Sequence, residues 1–91
     1  MFAVIWLDEA LDELDDLIAY VAEWNPVAAQ DLYSRIEDAA TSLSQFPYLG
    51  HMGRIADTRE LLAHPNYWIV YRVTLAAVEI VNILHVRREY P

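Results

Sequence analysis

The chain has 91 residues, enough for a single domain over 1–91 whose core needs no covalent staple, though not by a wide margin. It has no cysteine, which excludes disulfides, zinc–thiolate sites and thiol nucleophiles and fits a reducing, cytoplasmic setting. The net charge is −8, with ten of the fourteen acids but only one of the six arginines in residues 1–38 and no lysine anywhere, so sequence-specific nucleic-acid binding is not expected.

The longest apolar run, Met1 to Leu7, is too short to span a bilayer and lacks the basic leader and cleavage site of a signal peptide. No membrane association is expected. Phe2 to Leu7 reads instead as a strand buried in a sheet. Asp8 is placed to N-cap a helix whose apolar positions Ala10, Leu11, Leu14, Leu17, Ile18 and Val21 follow the three-and-four spacing of one face. Asp12, Glu13, Asp15, Asp16 and Glu23 fill the remainder, as a solvated face or as a surface that steers a basic partner.

Trp24-Asn25-Pro26 ends that helix and begins the next, because Asn suits an N-cap and Pro the first helical position. Helices joined so tightly run antiparallel, and the second has its own stripe of Ala29, Leu32, Tyr33, Ile36, Ala40 and Leu43. Trp24 either caps the end of this helical hairpin or stands out as a contact residue. Phe46 to Arg54 breaks periodicity and contains both glycines of the chain, so it reads as a loop. Arg59 to Ala63 is a short strand ended by His64-Pro65-Asn66.

Tyr67 to Val73 and Val78 to Val86, rich in Val, Ile, Tyr and Trp, form a β-hairpin about a turn at Thr74 to Ala77. That turn sets Val73 opposite Val78, Arg72 opposite Glu79, Tyr71 opposite Ile80 and Val70 opposite Val81. Apolar residues occupy both parities of both arms. Helices should therefore cover one face, and the other should meet more of the chain or a partner. Arg87 to Pro91 is a polar tail. The result is an α+β domain, β-α-α-β-β-β, with a helical hairpin on one face of a mostly antiparallel sheet.

Candidates for chemistry are few. His51, His64 and His85 lack the spacing of a metal pair, so neither a metal site nor a cofactor is expected. His85 reads as a hydrogen-bonded structural residue or as a base, and Arg72 as the partner of Glu79 or as a phosphate ligand. Arg87, Arg88 and Tyr90, with Arg59 near the same sheet edge, form the best constellation: arginine grips phosphate or carboxylate bidentately and tyrosine stacks.

Asn25-Pro26, Phe46-Pro47-x-x-Gly50, Thr58-Arg59-Glu60-Leu61, Tyr71-Arg72-Val73 and Leu84-His85-x-Arg87-Arg88 occur in an order that resembles the RelE/ParE superfamily of type II toxin–antitoxin toxins, over essentially the whole chain. The resemblance implies a bacterial growth-arresting toxin held inactive by a co-expressed antitoxin. RelE-like members cut messenger RNA on the ribosome, and Arg59, Arg72, Arg87 and Tyr90 correspond loosely to such a catalytic set. ParE-like members, of the plasmid-stabilisation type, inhibit DNA gyrase by binding and perform no catalysis. Absence of lysine and the acidic charge favour the ParE-like reading, with a ParD-like antitoxin and with Arg59, Arg72, His85, Arg87, Arg88 and Tyr90 as target-binding residues. A relic of the fold that binds antitoxin without toxicity is the third reading. His51 stands where many relatives carry arginine, and Ala56-Asp57 where glycine is common.

Overall fold

The computed structural model describes residues 1–87. In chain order the elements are β1 (Ala3–Trp6), α1 (Asp8–Trp24), α2 (Pro26–Ser42), β2 (His51–Met52), β3 (Arg59–His64), β4 (Tyr67–Val73) and β5 (Ala77–His85). The strands form one sheet in the order β1-β5-β4-β3-β2, antiparallel except for the β1–β5 pair. The expected α+β architecture is present, with one strand more: the loop between α2 and β3 contributes the two residues of β2, which pair with Arg59 and Glu60.

Asn25 caps α2, its Oδ1 accepting from the Ala28 N–H at 3.0 Å, and Pro26 follows at the first helical position. At α1 the expectation of an Asp8 cap is corrected. Leu7 holds the extended cap position with no side-chain bond, and Asp8 lies inside the helix, where with Glu9 it places negative charge against the N-terminal dipole. Both helices lie on the same face of the sheet. Ala10 and Leu14 of α1 and Leu32, Ile36 and Ala40 of α2 join Leu43, Ile69, Tyr71, Val78, Ile80 and Ile83 in the core. Burying each large side chain of that set contributes roughly 1.5–3 kcal/mol. Leu11 and Tyr33 belong to the two apolar stripes by spacing but lie at their margins and are exposed.

The hairpin register holds from Val73↔Val78 through Tyr71↔Ile80, and then departs from expectation: Val70 pairs with Asn82, not Val81. The extra residue is a β-bulge, and it has a packing consequence. Ile80 and Ile83 are three apart, so regular alternation would send them to opposite faces, yet both are buried in the helix-covered core. The bulge lies where α1 crosses the edge of β5. Glu13 Oε1 accepts from the Ile83 N–H at 3.0 Å and from Asn82 Nδ2 at 3.1 Å, satisfying strand-edge donors that β1, paired only with 77–80, does not reach.

β1 is likewise not the fully buried strand its composition suggests. It is the sheet edge, with Ala3 and Ile5 exposed and Val4 and Trp6 turned to the helices. On the uncovered face the register groups Ile5, Glu79, Arg72, Val70, Glu60, Trp68, Leu62 and Leu84. Val70 is 1% exposed although no helix lies over it, because Trp68, Arg72 and the cross-strand residues shelter it. Trp24, left between two readings by the sequence, is 76% exposed at the tip of the helical hairpin.

Candidate functional site

The loop after α2 positions the first candidate site through Gly50. Its N–H donates to the Tyr71 hydroxyl at 2.9 Å and its carbonyl accepts from Arg59 Nη1 at 2.8 Å. Backbone and ring come this close only without a side chain, since a Cβ on Gly50 would stand 2.7 Å from the Glu60 carbonyl oxygen and 2.9 Å from the Tyr71 ring. The Arg59 guanidinium also lies over the Tyr48 ring, 4.9 Å from its centroid, so one cation serves a carbonyl and an aromatic face at once. Burial pushes the Tyr71 hydroxyl above the ordinary tyrosine value, while the Gly50 N–H and the Arg59 charge pull the other way.

A second brace forms the far wall. Gly53 N–H donates to the Thr58 carbonyl at 2.8 Å, Thr58 Oγ1 donates to the Ile55 carbonyl at 2.7 Å, and Asp57 turns the chain at φ 65°. Asp tolerates that left-handed conformation better than a β-branched residue does. Beneath the turn the buried carboxylate of Glu60, 3% exposed, accepts from the Arg54 backbone N–H at 3.2 Å and pairs with its Nε at 3.4 Å.

Tyr48, Met52, Asp57, Thr58, Arg59, Arg72 and Val73 line a cavity of about 280 Å³ at this end of the sheet. Arg59 and Arg72, both singled out from sequence, thus share one cavity. Arg72 is turned to Glu79, its cross-strand neighbour, with Nε 2.5 Å from Oε1. His85 and Arg87 lie at the opposite end. His85 pairs with Tyr67, five residues along β4 from Arg72 and about 16 Å away at strand rise. The two rings meet edge to face at 5.2 Å, and His85 Nδ1 accepts from the Arg87 N–H at 3.1 Å, which leaves the ring proton on Nε2 in the neutral form. Arg88 and Tyr90 lie outside the described residues. The structure therefore brings Arg59 and Arg72 together, and sets His85 and Arg87 apart from them.

Sequence reasoning passed over Tyr48, Thr58 and the hydroxyl of Tyr71. Tyr48 and Gly50 both stand in the Phe46-Pro47-x-x-Gly50 motif, and that motif was the available signal. Among the described residues no group of three or more His, Asp or Glu side chains is placed to hold a metal ion, and no helix is long and apolar enough to cross a membrane.

Three comparisons bear on this geometry. Residues 4–90 match a family model described as the ParE toxin of the type II toxin–antitoxin system, parDE. A protein named putative toxin Y4kP from Sinorhizobium fredii is 39% identical over 87 residues, covering 94% of this chain and 90% of its own. Toxin RelE2 from Caulobacter vibrioides is 38% identical over 88 residues, with 97% and 99% covered. A solved structure described as the chromosomal ParDE TA system from P. aeruginosa superposes with a TM-score of 0.86 over 96% of this chain and 98% of that one, at 20% identity, which shows a shared fold.

Proposed function

The chain belongs to the ParE toxin family of type II toxin–antitoxin systems, and from that membership we propose that it arrests growth by binding DNA gyrase and is neutralised by a ParD-like antitoxin. One observation carries the choice of binding over catalysis: the arginines of the alternative ribonuclease set are either engaged inside the fold or far apart. Arg59 holds the Gly50 carbonyl and the Tyr48 ring, Arg72 holds Glu79, and Arg87 stands at the other end of the hairpin. A ribonuclease needs several cations converging on one scissile phosphate together with a proton donor and acceptor. The chain has no lysine to add a cation, and Arg54, the arginine nearest the Gly50 loop in the chain, is paired with Glu60. A protein target imposes no such requirement, and a net charge of −8 does not oppose it.

The antitoxin reading is supported by the uncovered face of the sheet, where Ile5 on β1 and Leu62 on β3 are nearly half exposed. A segment that orders on binding would bury these side chains.

The test is a supercoiling reaction with purified gyrase at increasing concentrations of this protein, run beside a translation reaction programmed with a defined message. Loss of supercoiling with intact message is the expected result. Cleaved message with normal supercoiling would replace this reading with the ribonuclease, and no response in either, together with antitoxin binding, would leave a non-toxic binding module.

A further inference from the structure

The acidic helix has a face that neither the core nor the cavity at Arg59 uses. On α1 the core side is Ala10, Leu14, Leu17 and Val21, and one flank beside it runs through Glu13, Asp16, Tyr20 and Trp24 at spacings of three and four. At its start Glu13, Asp16 and Leu17 meet Tyr67, Ile83 and His85 around a cavity of about 290 Å³. The cavity has two carboxylates at its rim, two aromatic rings in edge-to-face contact and an aliphatic floor. Glu13 is oriented by Asn82 and the Ile83 N–H, whereas Asp16 is exposed. At the far end of the flank Tyr20 and Trp24 are 63% and 76% exposed, a large apolar area for a helix otherwise rich in charge.

We propose that this flank of α1 is a docking surface for a basic amphipathic helix of another protein, with an arginine entering the cavity at Glu13 and Asp16 and apolar side chains covering Tyr20 and Trp24. Charge decides the occupant. A second copy would bring its own acidic helix against this one, and nucleic acid or an anionic membrane would be repelled in the same way. A guanidinium suits the cavity because it stacks on aromatic rings and bonds carboxylates bidentately, and the apolar end supplies the area that ion pairing alone lacks. From Glu13 to Trp24 the flank is roughly 16 Å long, or three helical turns of a partner. This surface lies on a different part of the molecule from the cavity of Arg59 and Arg72, and its occupancy is independent of whether gyrase is the target.

The probe is a synthetic helical peptide of about fifteen residues, with arginines in its first turn and leucines at helical spacing in its last two, beside a twin in which citrulline replaces arginine. Amide and indole shifts of the intact protein are followed as each peptide is added. Saturable shifts confined to residues 13–24, Tyr67, Ile83 and His85, with affinity weakened about tenfold or more by the citrulline twin, by Asp16→Asn and by Trp24→Ser, are expected. Asp38→Asn, which removes the same charge from the other helix, should leave affinity unchanged. Equal binding of both peptides, shifts spread over all acidic surfaces, an equal loss with Asp38→Asn, or no saturable binding would each overturn the proposal. The peptide pair tests wild-type protein, so the result stands even if a variant is poorly folded.

Discussion

The two ends of the β4–β5 hairpin carry the same kinds of residue and use them differently. At the Arg72 end, Arg59 and Tyr71 clamp both polar groups of Gly50 from opposite sides, and Glu60 fastens Arg54, so cations and a phenol become braces of a loop. At the His85 end, His85 and Arg87 meet through one backbone-to-ring bond beside an acidic helix, and His64 repeats the pattern by accepting from the Asn66 N–H at 3.1 Å. Residue type alone therefore does not separate recognition from support. What separates them is whether the polar group is already held by internal partners, because a guanidinium fixed by such bonds offers its remaining N–H donors in one orientation only, whereas an unheld one can turn to meet a ligand.

The sharpest way to break the comparison is Gly50→Ala. The added methyl would meet a backbone carbonyl, which cannot swing aside, and the braced end should lose about 3 kcal/mol in denaturant unfolding. Next is Tyr71→Phe, which strands the Gly50 N–H in a buried place and should cost about 1–3 kcal/mol. The same variant tests the titration. Because burial raises the Tyr71 hydroxyl, the folded state holds its proton more tightly than the unfolded chain, so this contribution is complete below about pH 10 and is lost as pH rises through the folded value. Stability measured from about pH 9 to about pH 11 should then fall less steeply in Tyr71→Phe than in the parent.

Arg59→Ala should cost about 1–2 kcal/mol, by loss of its bond to the Gly50 carbonyl and of its stacking on Tyr48. Arg59→Lys should recover only part of that, since an ammonium lacks the planar face. The smallest effect on folding belongs to Arg72→Ala. Its ion pair with Glu79 is half exposed on the bare face of the sheet and should be worth about 0–1 kcal/mol, falling further with added salt. Where the parent chain inhibits gyrase as proposed, loss of that inhibition in Arg72→Ala or His85→Ala at unchanged thermal midpoint would mark a contact residue, whereas loss in Arg59→Ala that tracks its lowered midpoint would mark a brace.

Much of this architecture is written locally. Asn25-Pro26 marks its own turn because a cap acceptor and a fixed φ act over a few residues, and Tyr67 to Val73 declares a strand through side chains that suit a pleated surface. The pairing of Arg72 with Glu79 is also legible, since opposite charges equidistant from a short turn have one register. The bulge was not legible, because Val78 to Leu84 is apolar at both parities and alternation carries no signal there; the residue that meets Asn82 at the shift is Glu13, sixty-nine residues away in the chain. The same is true of Gly50, whose need for a bare backbone arises only when β3 and the Tyr71 ring close on it. Short-range rules settle which segments become helix or strand, while the assignment of a polar atom to brace or to surface depends on the atom that tertiary packing brings opposite it.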